Sequence, residues 1–160
     1  MEKYESLLKE ANQYIKTADH LCYVTFPTVN DNKVLVAIAE NIYIAMISAM
    51  EALILYEKEF KRVYHIPENF ELKFDLFKTN IAKRYNISRA QIFVLDDLRR
   101  LLQIHKSSQM EFNRKENYII LAEDFKLKTL NINKIKQYLN DAKPFILNVN
   151  DIISKSYRMK

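Results

Sequence analysis

Imidazoles and thiols are few in this chain: three histidines and one cysteine in 160 residues. His20 borders an apolar stripe and reads as a boundary residue. His65 lies in a proline-containing connector where Glu68 and Glu71 are its only partners at metal-ligand spacing, and no metal site is assigned there. Cys22 falls on the apolar stripe and reads as a buried, inert thiol. His105 is different, because it ends the run Arg100-Leu-Leu-Gln-Ile-His105, with Arg99 one residue further back. An imidazole moves protons near neutral pH, and a guanidinium neutralises phosphate oxygens, so this pairing suits chemistry on a phosphodiester. Arg100 and His105 are the candidate catalytic pair, with Arg99 as the alternative arginine. Neither a metal nor any other cofactor is expected.

The element that carries them starts at Ser88, where Ser-Arg-Ala-Gln allows the serine hydroxyl to accept from the Gln91 amide and Gln91 to reach back. Ile92, Leu95, Leu98 and Leu102, broadened by Phe93, Leu101 and Ile104, mark a buried stripe. Asp96, Asp97, Arg99, Arg100 and Gln103 fall off that stripe. On an unbroken helix Arg100 and His105 project ~140° apart and ~7.5 Å along the axis. They converge only if the helix distorts near His105 or if a second chain supplies one of them.

Charge points to an anionic partner. The formal net charge is +5, yet the segment from Lys78 to Lys115 holds nine Lys or Arg against three acids. RNA-binding roles are assigned to Arg99, Lys106, Arg114 and Lys115, with Lys126 and Lys128 continuing the track and Tyr118 and Phe125 available to stack on bases. The chain contains no glycine, which removes phosphate loops and dinucleotide fingerprints in their usual forms. Positive-φ positions should fall to asparagines such as Asn86. No apolar run approaches the ~20 residues that span a bilayer, and the N-terminus resembles neither a signal nor a transit peptide. The expectation is a cytoplasmic protein with no membrane association.

The remaining pattern is helical. A bundle helix is predicted over residues 2–22, a break at Pro27, a long helix from near Asn30 to about Tyr64, and an aromatic helix from Phe70 to Asn86. Glu40, Asn41 and Glu51 read as a solvated edge of the long helix. After His105 a helix restart is predicted around Met110 to Lys115. A β-hairpin follows over about 118–130, because Phe125, Leu127 and Thr129 alternate with lysines. Asn131 caps a last helix containing Pro144, which should kink it. A DNA-binding helix–turn–helix fits poorly, since the turn before Ser88 lacks glycine and Asp96 and Asp97 stand on the outward face. The fold class is mainly α: a four- to five-helix bundle in one domain, 1–160, with a small β-hairpin inserted before the C-terminal helix.

An all-helical bundle of this size with Arg-x4-His on a late helix resembles the HEPN superfamily. The resemblance implies RNA association, either as a metal-independent RNase or as a non-catalytic RNA- or nucleotide-binding relative. His105 would move the 2′-hydroxyl or leaving-group proton, and Arg100 would stabilise charge on the phosphate. It also implies a homodimer and a partner protein such as a small nucleotidyltransferase. The chain departs from the commoner family pattern in having Leu101, not a polar residue, after the arginine. The rival expectation is a protein–protein interaction module that docks a partner through the hairpin or the aromatic helices, without catalysis.

Overall fold

A helix with apolar side chains on every side must be surrounded, and Lys33–Glu59 (α3) is that helix. Leu35, Ile38, Ala39, Ile42, Ala45, Met46, Ala49 and Leu53 are fully shielded from solvent. Part of α3 is long and apolar enough to cross a membrane, which the sequence reading overlooked, but half of that window is buried within the fold. The computed structural model describes residues 2–158, and of 156–158 only the backbone.

Lys3–His20 (α1) lies along α3, with Ala11 and Ala18 buried where the two backbones approach. Arg89–Ser107 (α6) and Ile132–Arg158 (α7) complete the wall around it, and these four helices share one hydrophobic core. Asn131 caps α7 as expected, its Oδ1 accepting from the Lys134 N–H at 2.9 Å. Pro144 lies inside a helix that continues on both sides of it.

Two expected boundaries move for physical reasons. The chain does not break at Pro27: α1 passes through a π turn, Leu21–Thr25, into Phe26–Val29 (α2), with proline in the first turn, where its missing N–H costs least. Asn30 then ends the helix at φ 51°. The long helix stops short of Tyr64, because Lys61 turns left-handed at φ 61° and the Arg62 N–H returns to the Glu57 carbonyl at 2.9 Å.

The aromatic segment forms Phe70–Leu76 (α4), a second π turn at Phe77–Ile81, and Ala82–Arg84 (α5). It closes at Asn86, at φ 55°, with the Ile87 N–H bonded back to the Ala82 carbonyl. The serine half of the predicted cap forms, with the Ser88 Oγ accepting from the Gln91 N–H at 3.1 Å.

Where a helix restart is predicted, the chain instead forms a strand, so the hairpin is a three-stranded antiparallel sheet ordered β1-β2-β3: Met110–Arg114 (β1), Asn117–Leu121 (β2) and Leu127–Leu130 (β3). Alternation sends Glu111, Tyr118, Ile120 and Leu130 to the inner face, against the bundle, and Met110, Phe112, Ile119, Leu121 and Leu127 to the outer face. Asn32, at the start of α3, ties the sheet down through its Nδ2, which donates to the Lys115 and Asn117 carbonyls. The β1–β2 turn places Lys115 at φ 57°, and the β2–β3 turn places Phe125 at φ 64°, positions where hairpins prefer glycine.

Candidate active site around His105

The last turn of α6 carries His105 past the edge of the core, and Ser108 then redirects the chain into β1. Ser108 fixes that corner: its Oγ lies 3.0 Å from the His105 carbonyl and 2.5 Å from the Glu111 Oε2. Because β1 doubles back, Glu111 meets the imidazole of the helix it has just left. The His105 Nδ1 stands 2.7 Å from the Glu111 Oε2, and the Tyr118 hydroxyl of β2 donates to the other carboxylate oxygen at 2.7 Å. One carboxylate thus takes three hydrogen bonds from three elements.

Burial alone would raise the Glu111 carboxyl, but the hydrogen bonds from Ser108, Tyr118 and His105, together with the His105 charge, outweigh it and hold the carboxyl below its ordinary value. The group is therefore ionised at neutral pH and only accepts. That assigns the proton to Nδ1 of His105 and leaves Nε2 with its lone pair in the neutral imidazole. Nε2 stands 3.9 Å from Oε1 of Glu40 on α3, a half-exposed carboxylate. The His105 side chain is 32% exposed and that of Glu111 only 14%. An imidazole anchored through one nitrogen and open at the other is the arrangement of a general acid–base group with its positioning carboxylate.

Tyr118 is pushed up to about 12, first by burial and then by its bond to Glu111. It is buried and committed to that bond, so it is not a base-stacking group, contrary to the sequence expectation. Phe125, the other expected stacking group, is exposed.

The two arginines lie elsewhere. Arg100 is 68% exposed and pairs with Asp96 one turn earlier on its own helix, at 3.0 Å. Helix α6 runs unbroken through His105, so the ~140° separation stands and the pair does not share one site within a chain. Arg99 is committed to Glu71 at 2.7 Å and stacks over the Phe70 ring at 4.1 Å. Lys106 is exposed beside His105, and Arg114 and Lys115 are exposed at the β1–β2 end of the sheet.

The remaining expectations divide. Leu101 is buried in the core, which accounts for an apolar residue at that position. Phe93, expected in the buried stripe, is exposed, while Val94 takes a core place. Asp97, expected outward, accepts a short hydrogen bond from the Tyr138 hydroxyl of α7. Cys22 is buried, and burial raises its thiol. Among the described residues, no group of three or more His, Cys, Asp and Glu side chains is placed to hold a metal ion.

Sequence reasoning missed Glu111 and Ser108 and gave Tyr118 a different role. Glu40 is exposed, as the solvated-edge reading has it, and its approach to His105 joins residues far apart in sequence. Glu111 did carry a signal, as the one acid in the basic run from Lys106 to Lys115. No family model, no curated protein and no solved structure matches this chain.

Proposed function

We propose that the chain is a cytoplasmic, RNA-associated, HEPN-like domain in which His105 is the acid–base centre for metal-independent cleavage. The supporting observation is the anchoring of the His105 Nδ1 by Glu111, which leaves Nε2 outside that bond, near the exposed Glu40 carboxylate, with Lys106 exposed at the next position. In the proposed step Nε2 takes the proton of a ribose 2′-hydroxyl. The 2′-oxygen bonds to the adjacent phosphorus, the bond to the 5′-oxygen breaks, and the proton passes from Nε2 to that leaving oxygen. The products are a 2′,3′-cyclic phosphate and a 5′-hydroxyl, with no change in oxidation state.

Glu111 is a positioning residue in this scheme, because it fixes the tautomer and the ring without touching substrate. Lys106 supplies positive charge next to the reacting phosphate. Arg100, on the solvent face of α6, holds a phosphate away from the cleaved one. Arg99 is engaged with Glu71, and Arg114 stands on the sheet face away from Glu111, so neither is assigned to this site.

Binding of a labelled single-stranded RNA across a salt series tests the RNA part directly. Lys106→Glu with Arg100→Glu should weaken affinity at least tenfold at low salt and flatten the salt slope. Unchanged affinity and slope would overturn it.

A further inference from the structure

Outside the site just described, the outer face of the sheet is the feature that the fold leaves unexplained. Met110, Leu121 and Leu127 share that face with Ile119 on its side toward the β2–β3 turn, Phe112 and Thr129 stand directly across from it on β1 and β3, and Phe125 lies in the adjoining turn. Met110 and Leu127 are each 57% exposed and Phe125 is 74% exposed. Ile119 is buried, yet it is not part of the main core. Phe125 also holds a left-handed φ of 64°, a costly conformation for a bulky side chain. An exposed aromatic kept at a strained turn tip gives no return to the monomer.

We infer that this face is the contact between two copies of the chain, packed sheet on sheet about a two-fold axis. Charge favours a second copy over an RNA strand. The β1–β2 end of the sheet carries Arg114 and Lys115 against Glu116, while the opposite end carries Glu123 and Asp124 against Lys126. One end is thus net positive and the other net negative. An antiparallel two-fold places the basic end of each copy over the acidic end of the other, and satisfies both contacts at once. A polyanion would meet repulsion at the acidic end.

Area points the same way. The exposed parts of these apolar side chains amount to roughly 400 Å², the size of the largest, often functional, patch on a monomer. With a polar rim around it, such a patch reaches the ~800 Å² per partner of a standard interface. Aligned sheets in such packings lie ~10 Å apart, close enough for the Phe112 and Phe125 rings to interleave. Because Glu111 and His105 lie behind the inner face, this interface neither covers His105 nor brings Arg100 to it. The dimer and the RNA reading therefore stand or fall separately.

Sedimentation velocity of the full chain over a wide concentration range is the test. The wild type should dimerise, and Met110→Lys with Leu127→Lys should raise the dimer dissociation constant at least thirtyfold with helical circular dichroism unchanged. Arg114→Glu should weaken the dimer about tenfold, and adding Glu123→Arg should restore most of the loss. A wild type monomeric at every concentration would overturn the inference and assign the face to a different partner. A dimer indifferent to all these variants would overturn it as well.

Discussion

Replacing Glu111 should uncouple three elements at once, because its carboxylate is the common acceptor for the end of α6, the Ser108 corner and β2. In Glu111→Ala the Tyr118 hydroxyl and the His105 Nδ1 lose their acceptor, and the Ser108 hydroxyl keeps only the His105 carbonyl. A hydrogen bond to a charged group contributes ~1.5–3 kcal/mol. Water replaces part of this for Ser108 and His105, which are only partly buried, and the three bonds form one network and do not add. A loss of ~3 kcal/mol is expected for Glu111→Ala and ~1–2 kcal/mol for Glu111→Gln, which keeps the shape and one acceptor. With a urea m-value of ~2 kcal/mol/M, the alanine variant should move the midpoint of unfolding down by ~1.5 M.

The pH dependence has a definite sign. The folded carboxyl titrates below its unfolded value, so its contribution is complete above the ordinary glutamate range and is lost as pH falls through the folded value. The difference between wild type and Glu111→Gln should be constant from neutral pH down to that range and shrink below it. Nitrogen-detected NMR of the imidazole supplies an independent readout: wild type should show the Nδ1-protonated tautomer, and Glu111→Gln should not hold it. An alanine variant within ~0.5 kcal/mol of wild type, or a wild-type imidazole protonated on Nε2 alone, would refute the reasoning.

Other outcomes follow from the same structure. Tyr118→Phe should cost ~1–2 kcal/mol in urea unfolding. In the wild type the raised phenol of Tyr118 contributes stability that is complete below the ordinary tyrosine value near 10 and is lost between about 10 and 12 as pH rises. Absorbance titration of the phenols should show Tyr85 and Tyr138 ionising later still, since burial and the neighbouring Glu57 and Asp97 carboxylates hold both higher. Arg99→Ala should cost ~1–2 kcal/mol through loss of the Glu71 pair and the Phe70 stack, whereas Arg100→Ala should change stability by less than ~0.5 kcal/mol, both read from unfolding midpoints. At the β1–β2 turn, Lys115→Val should be less stable than Lys115→Gly by ~2 kcal/mol, because a β-branched residue tolerates positive φ poorly; equal stabilities would show that the turn is not left-handed in solution.

The helices were legible because each announces itself locally. Ser88 and Asn131 are cap residues, and the spacing of Ile135, Leu139, Ala142, Phe145 and Ile146 states the buried face of α7 without reference to anything distant. The failures occur where a local signal competes with a distant one. Met110-Glu-Phe-Asn-Arg114 alternates too briefly to outweigh a helical reading, and pairing with β2 decides it. Pro27 normally ends a helix, yet a π turn absorbs it. Lys115 and Phe125 occupy positions that hairpins give to glycine, so the turns carried no recognisable signature. At the site, His105 was legible as a candidate from its residue type and its basic neighbours in sequence. Its partners were not, because Glu111 reaches the imidazole only after β1 reverses direction and Glu40 comes from a helix far back in the chain.

The most direct test of the account is cleavage of a mixed RNA pool by purified protein in EDTA, with identification of the product ends. Wild type should yield 2′,3′-cyclic phosphate and 5′-hydroxyl termini. His105→Ala should lose at least a hundredfold in rate, and Glu111→Gln should fall between the two while still binding RNA. Cleavage that survives in His105→Ala, or a folded wild type that leaves the pool intact, would contradict the assignment of His105 as an acid–base centre.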